Sequence, residues 1–384
     1  MTAPVRLSSA LVQTDIRRDS PRPHHLRQED YADLYDWKTL FYDVYRCGKH
    51  VVLQGPPLFN LLNELKKARP FANWFTWPFP KAKYINLKKR GEIWVKTDAS
   101  HIAFEGTLGS FDLKVQPDGS DRFAGKRVLV TQSKNNRIGW IADWLRFHHV
   151  LQGADAALIY DNGSSDYDID QLQSELSLAV PDMDVLVISW PFPFGPQAGP
   201  LWEMEGGMPD WDSDFCQVGV VQHARFRFLQ KARSVMHNDI DEMIISQGDR
   251  TVFEAAEQSP NGMVKFDGRW ISTHSDHPVE PGKCSHADFV HDEGEHAELS
   301  PPKWCIRPQA FSRKHSWGVH NIFGARGNDE ITDEFLFRHI RGVTTSWHYD
   351  RWNLGSEDRS ALRRDEVLAN AWEQAGLKPS HVTA

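Results

Sequence analysis

From residue 127 onward, short apolar runs alternate with longer segments whose apolar residues recur every three or four positions. No other feature restricts the fold as much. Arg127 to Gln132 carries Val128, Leu129 and Val130, a run of buried-strand type. Ile141, Trp144, Leu145, His148 and Leu151 then mark one face of a helix, and Gly153 ends it. Ala156 to Tyr160 is a second apolar strand, Ile169, Leu172 and Leu176 a second helical stripe, and Met183 to Trp190 a third strand. Strands and helices alternating at this length predict parallel βαβ units with right-handed crossovers. Ligands of such sheets bind beyond the carboxyl ends of the strands. Those ends are Lys134 and Asn135, then Asp161 and Asn162 in the turn sequence Asp161-Asn162-Gly163-Ser164-Ser165-Asp166.

The residues before this rhythm read differently. Residues 1–25 look like a loose tail. Glu29 to Arg46 has helix-like spacing through Tyr31, Leu34, Tyr35 and Tyr42. Pro56, Pro57, Pro70, Pro78 and Pro80 interrupt the chain, and Glu92 to Asp121 offers short strands such as Ile93-Trp94-Val95 between glycine turns. The expectation is a partly β N-terminal module over 1–125 with no assignable chemistry, an α/β domain over 126–350, and a helical extension over 351–384. Leu362, Leu368 and Trp372, closed by Gly376, give that extension an amphipathic helix.

Composition excludes several classes. The 384 residues carry a net charge of −8, so no overall basic field recruits nucleic acid. The four cysteines, Cys47, Cys216, Cys284 and Cys305, form no C-x-x-C pair and suit a reducing compartment. Met1 to Asp30 lacks the apolar core of a signal peptide, and no apolar run reaches the ~18 residues of a membrane span. A cytoplasmic protein is expected, at most in peripheral contact with the inner face of a membrane.

One cluster carries chemistry. Asn238-Asp239-Ile240-Asp241-Glu242 sits between two apolar segments. Extended geometry would point Asp239 and Asp241 to one side and Ile240 into the core. Adjacent carboxylates repel unless a cation or proton stands between them. Mn²⁺ or Mg²⁺ takes oxygen ligands, binds diphosphate as well, and stabilises a departing nucleoside diphosphate. A solvated acidic turn is the bland alternative.

Three segments together resemble the glycosyltransferase family 2-like and family 92 group. They are Lys134-Asn135 with Trp140 to Leu145 and Ile159 to Asp166; Gln222 leading to Asn238 through Glu242; and Lys303 to Pro308 with His320-Asn321 beyond. The resemblance spans roughly residues 127–345. It implies a GT-A fold, a Rossmann-like, mostly parallel sheet flanked by helices, and a nucleotide-sugar donor, with a UDP-sugar favoured. It places Lys134, Asn135, Asp161 and Asn162 by the nucleotide, Asp239 by the ribose or the metal, and Asp241 and His320 on the metal, with His315 as the alternate to His320. Asn136 and Met243 depart from the family's usual acidic and aromatic residues.

On the acceptor side, an inverting transferase needs a carboxylate to take a hydroxyl proton. Asp276 is the candidate base, with Asp267, Glu280 and Asp292 open. His274, His277, Cys284, His286, His291 and His296 crowd the following loop in no standard zinc spacing. Trp190, Trp202, Trp211 and Trp270 are candidates for stacking on a sugar, against core packing. Arg338, His339, Arg341, Trp347 and His348 could close over a diphosphate. The expected activity is transfer of a hexose to a saccharide or lipid-linked saccharide hydroxyl in cell-surface polysaccharide synthesis. The alternative is a carbohydrate-binding or assembly protein on an inactive scaffold. A nucleotidyltransferase is disfavoured, because the Ser133–Arg137 loop contains no glycine.

Overall fold

The structure, a computed structural model, describes residues 2–70, 82–196, 215–345, 350–352 and 360–382. It divides into two compact units. One comprises Met1–Pro4, Phe123–Ile188 and Leu229–Ala384; the other comprises Val5–Arg122 with Ser189–Phe228.

The first unit is built on one eight-stranded sheet. Its strands in chain order are β1 (Arg127–Ser133), β2 (Ala156–Asp161), β3 (Asp184–Ser189), β4 (Ser234–His237), β5 (Glu242–Ser246), β6 (Met263–Ile271), β7 (Leu299–Ile306) and β8 (Phe335–Ile340). Across the sheet the order is β3-β2-β1-β4-β7-β6-β8-β5. β1 pairs in parallel with both β2 and β4, as the alternation predicts. Beyond β4 the sheet is mixed: β7 runs antiparallel to β4 and β6, β8 parallel to β6, and β5 antiparallel to β8.

The sheet is curled, and its connections show why. Only residues 238–241 join β4 to β5, yet three strands lie between them in the pairing order. In a flat sheet those strands would stand ~19 Å apart at ~4.8 Å per spacing, more than so short a linker spans even when extended at ~3.5 Å per residue. The sheet therefore rolls until the edge strand β5 returns beside β4.

Helices α1 (Ile138–Gln152), α2 (Ile169–Ala179), α3 (Val252–Gln258) and α4 (Glu366–Gln374) join the strands in one core. Gly153 ends α1 in the left-handed conformation, φ 69°, with its N–H bonded to the His148 and His149 carbonyls. α3 starts with a capping box in which Thr251 and Glu254 each bond the other's backbone N–H. α4, the amphipathic helix expected near the C-terminus, docks by Trp372 edge-on against Phe147 of α1, with ring centroids 5.3 Å apart. Among the described residues no helix is long and apolar enough to cross a membrane.

The second unit corrects several expectations. Residues 1–25 are not a loose tail: Ala10–Leu11 pairs with Thr39–Phe41. Arg18 is 1% exposed, with its guanidinium on the carbonyls of Pro57, Asp36 and Thr39. Most of Glu29 to Arg46 is not helical. Helix covers only Tyr31–Leu34 before strands Thr39–Phe41 and Asp43–Cys47, because Asp36 accepts from the Thr39 N–H and turns the chain into sheet pairing. Ser189–Phe228, inside the span expected for the α/β domain, is assigned to this unit. It brings in a helix, Phe215–His223, continued by a π-helical turn, Ala224–Phe228. A buried network ties it down: Asp43 accepts from His223 at 2.9 Å and Arg227 at 2.7 Å. Gln222, part of the family-like pattern, accepts from Arg90 at 2.8 Å.

Candidate active site

The acidic cluster lies where β4 ends. It is a turn, not an extended strand, since the Glu242 N–H bonds the Asp239 carbonyl at 3.1 Å. The reversal that sends the chain into β5 overrides strand alternation, but Ile240 still points into the core. Three neighbours hold the turn. Asn238 donates to the Glu242 carbonyl at 2.8 Å, the Glu242 carboxylate accepts the Asp239 N–H at 2.8 Å, and His286 reaches the Ile240 carbonyl at 2.9 Å. Behind it, His148 of α1 donates from Nδ1 to the Trp144 carbonyl and accepts the Ile244 N–H at Nε2. Both ring nitrogens are thereby assigned in the neutral form, and burial pushes the imidazole down to about 3.

The carboxylates are charge-balanced by the protein itself. Lys303 of β7, 1% exposed, lies 2.7 Å from Asp239 and 3.0 Å from Glu242. Asp241 meets His339 Nε2 of β8 at 3.1 Å and Arg351 Nη1 at 2.5 Å. Burial acts to raise both aspartates, but Lys303 with His237 for Asp239, and His339 with Arg351 for Asp241, hold them below the usual carboxylate range. Glu242 goes the other way, raised chiefly by its own burial, with Asp239 close by. Trp270 of β6 stacks on His339 at 3.6 Å, and Arg341 and Arg351 stand 5.1 and 5.3 Å from its ring.

A cavity of about 410 Å³ opens at the carboxyl end of β1. Lys134, Asn135 and Arg137 line it from the end of β1, Trp140 from α1, and Trp352 from the residue next to Arg351. The cavity and the acidic turn thus share the carboxyl edge of two adjacent parallel strands. Asn135 adopts φ 54°, rare for a residue other than glycine. Its backbone N–H bonds Ser164 Oγ, and its side-chain Oδ1 accepts the Ser165 N–H. Asp161, 7% exposed, accepts from the Ser164 N–H and hydroxyl, and the Asn162 N–H bonds the Ser133 carbonyl. Lys134 and Asn135 therefore face the cavity, whereas Asp161 and Asn162 shape the loop that supports them.

The donor set suits a hard divalent ion chemically. Asp239 keeps 39% of its side chain exposed. His320 places Nδ1 3.0 Å from the Pro302 carbonyl, which can only accept, so a neutral ring carries its lone pair at Nε2. Distances are less favourable. Among the described residues, ligand atoms of three such side chains come within 4.8 Å of one another in two other groups, His274 with Asp276 and His291, and His277 with Asp288 and His381. Asp239, Asp241 and His320 do not form such a group.

Asp276 pairs with Arg364 at 2.9 Å and His291 at 3.3 Å. The histidine-rich loop disperses: His286 braces the turn, Cys284 donates to the Gly342 carbonyl, and His277 pairs with Asp288. Of the tryptophans, Trp270 reaches the site, whereas Trp190 is core, packed on Tyr42, Phe192 and His223. Trp202, Trp211, Trp347 and His348 lie outside the described residues. Arg338 is structural, bound to Asp365 at 2.6 Å, and Arg341 pairs with Glu298. Sequence reasoning missed Arg351 and the part Lys303 plays. A lone lysine in the strand Lys303-Trp304-Cys305-Ile306 was a readable signal, since a fully buried lysine requires a carboxylate partner.

A curled α/β sheet with an acidic turn and a cavity at its carboxyl edge has the layout in which open α/β sheets bind their ligands. The match to glycosyltransferase family 92 covers residues 136–371, more than half of the sequence, and the chain belongs to that family. No curated protein matches it. Among solved structures, the galactosyltransferase LgtC in complex with donor and acceptor sugar analogues is 8% identical, covers 48% of this chain and 58% of its own, and has a TM-score of 0.25. An active-site mutant of LgtC is 9% identical over 51% and 60%, with a TM-score of 0.26. The mannosyltransferase Ktr4p from S. cerevisiae is 12% identical over 38% and 39%, with a TM-score of 0.22. The chain thus spans about 58–60% of the length of the LgtC chains. Likenesses this partial carry no argument about substrate.

Proposed function

We propose that the protein is a metal-dependent glycosyltransferase that moves a hexose from a nucleotide-diphosphate sugar, a UDP-sugar in the first instance, to the hydroxyl of a saccharide or lipid-linked saccharide. The carrying observation is the adjacency of the Lys134–Asn135 cavity and the Asp239–Glu242 turn on one sheet edge. In this reading Lys134 and Asn135 hold the nucleotide, and Asp161 and Asn162 keep their loop in shape. Asp239, Asp241 and His320 hold Mn²⁺ or Mg²⁺. The bound ion supplies Lewis-acid stabilisation of the leaving diphosphate. Asp276 accepts the acceptor proton, with inversion at the anomeric carbon, and His291 and Arg364 orient its carboxylate.

The reading extends to cell-surface polysaccharide synthesis in the cytoplasm, with peripheral contact at the inner face of the membrane. Four buried, unbridged cysteines support a reducing compartment. Calorimetry of UDP binding with and without Mn²⁺, on the wild type and on Asp241→Ala, tests the proposal. Metal-dependent binding that disappears in the variant supports it. Absence of nucleotide binding in every condition would favour the carbohydrate-binding scaffold instead.

A further inference from the structure

We propose that His274, Asp276 and His291 form a binding site for Zn²⁺, on residues other than the acidic turn. Among the described residues, their ligand atoms all lie within 4.8 Å of one another. His291 Nε2 stands 3.3 Å from Asp276 Oδ1. That is long for an N–H···O hydrogen bond, which centres near ~2.9–3.0 Å. It is the separation of two ligand atoms on one tetrahedral ion, about 3.3–3.4 Å for bonds of ~2.0–2.1 Å. The His274 and His291 rings meet edge to face, with centroids 4.9 Å apart. Two imidazoles and a carboxylate, with water in the fourth position, are a donor set that Zn²⁺ takes.

The backbone gathers these side chains. Ser272, the first residue after β6, donates its N–H to the His291 carbonyl at 2.8 Å, and its hydroxyl accepts the His274 N–H at 2.9 Å. His291 pairs with Arg364 in a short antiparallel ladder. Arg364 Nη1 donates to Asp276 Oδ2 at 2.9 Å, which leaves Oδ1 toward His291. Ligating carboxylates are ordinarily hydrogen-bonded in turn by such outer partners. Burial lowers the His291 imidazole from its usual value, which favours the neutral, ligating ring. The Asp276 side chain is 55% exposed, so ion and water can reach it.

The other histidine–carboxylate group is already committed. Asp288 gives one oxygen to His277 at 2.8 Å and to the Ser380 N–H at 2.7 Å, and the other to the Ser285 N–H at 2.7 Å. An ion there would have to break that set. Asp276 can act as base only while its own ion is absent, and the site itself does not depend on that role.

The test is calorimetry of ZnCl₂ binding to the full chain in excess Mn²⁺, which competes poorly with Zn²⁺ for imidazole. The proteins are wild type, His274→Ala, His291→Ala, His277→Ala and Asp241→Ala, with circular dichroism to check each fold. One Zn²⁺ is expected per wild-type chain. Losing an outer partner costs metal sites about 10–100-fold, so His274→Ala and His291→Ala, which remove a ligand, should weaken binding by about a hundredfold or more. His277→Ala and Asp241→Ala should match the wild type. Wild type titrated with CoCl₂ gives a readout that needs no variant. Intense visible absorption of tetrahedral Co²⁺ supports the site, and a spectrum unchanged from the aqueous ion overturns it. Absence of Zn²⁺ binding, binding that survives in both His274→Ala and His291→Ala, or binding lost in His277→Ala or Asp241→Ala instead, also overturns it.

Discussion

Lys303 donates to the Asp239 carboxylate at 2.7 Å across 64 residues of sequence, and the same ammonium lies 3.0 Å from Glu242. Burial works to lower its pKa, but the two carboxylates more than reverse that. Replacing Lys303 with Met leaves Glu242, 2% exposed, without its cation. The expected cost is about 3–5 kcal/mol of folding stability. Urea unfolding measures it, and adding Glu242→Gln should return part of the loss in a double-mutant cycle.

Asp241→Asn keeps the size of the side chain and removes its charge. Metal-dependent UDP binding should vanish and turnover should fall by about a hundredfold or more. Circular dichroism should remain that of the wild type. An unaltered kcat in this variant would remove Asp241 from the chemistry.

Asp276→Asn should lower kcat by at least about a hundredfold while leaving UDP affinity in Mn²⁺ unchanged. A loss confined to nucleotide affinity would count against its role as base.

His148 is buried and neutral, with its folded pKa at about 3. The unfolded chain protonates the same ring near pH ~6.5. Below that value the unfolded state binds the extra proton, so stability is full above it and falls as the pH drops toward 3. This ring contributes a loss of about 1.4 kcal/mol per pH unit. Urea midpoints at pH 7, 6 and 5 for the wild type and His148→Gln read it out: the variant should start lower and show the shallower dependence.

Gly268 sits at the irregularity in the β6–β7 register, and a Cβ there would lie 2.2 Å from the Phe337 ring. Gly268→Ala should cost about 1–3 kcal/mol. It should also disturb β6 and β8, which carry Trp270 and His339 in register. A thermal melt gives the first effect, and UDP affinity the second.

The parallel half of the sheet was legible because it is local. Val128 to Val130, the α1 stripe and Gly153 announce themselves within a few residues, and Lys134 with Asn135 followed from the strand-end rule. What escaped depends on distant partners. The Asp239–Asp241 spacing suggested a strand, whereas Asn238, Glu242 and His286 turn it. Asp161 ends β2 and Asn162 opens the loop after it, but their hydrogen bonds run to Ser164 and Ser133. Arg351 is 110 residues from Asp241 in sequence. Tyr31, Leu34, Tyr35 and Tyr42 follow helical spacing, yet from Asp43 the chain is claimed by sheet pairing with His50–Gly55.

The rolled sheet has a consequence for how the protein is made. Residues 238–241 emerge from the ribosome before their partners: among the described residues β5 pairs only with β8, and His339, which meets Asp241, follows it by 98 residues. Throughout that interval the nascent chain displays an acidic turn and an unpaired edge strand of Met243, Ile244 and Ile245. A translational pause between residues 246 and 335 would prolong that exposure, whereas a pause after Ile340 has left the ribosome would find the turn already secured.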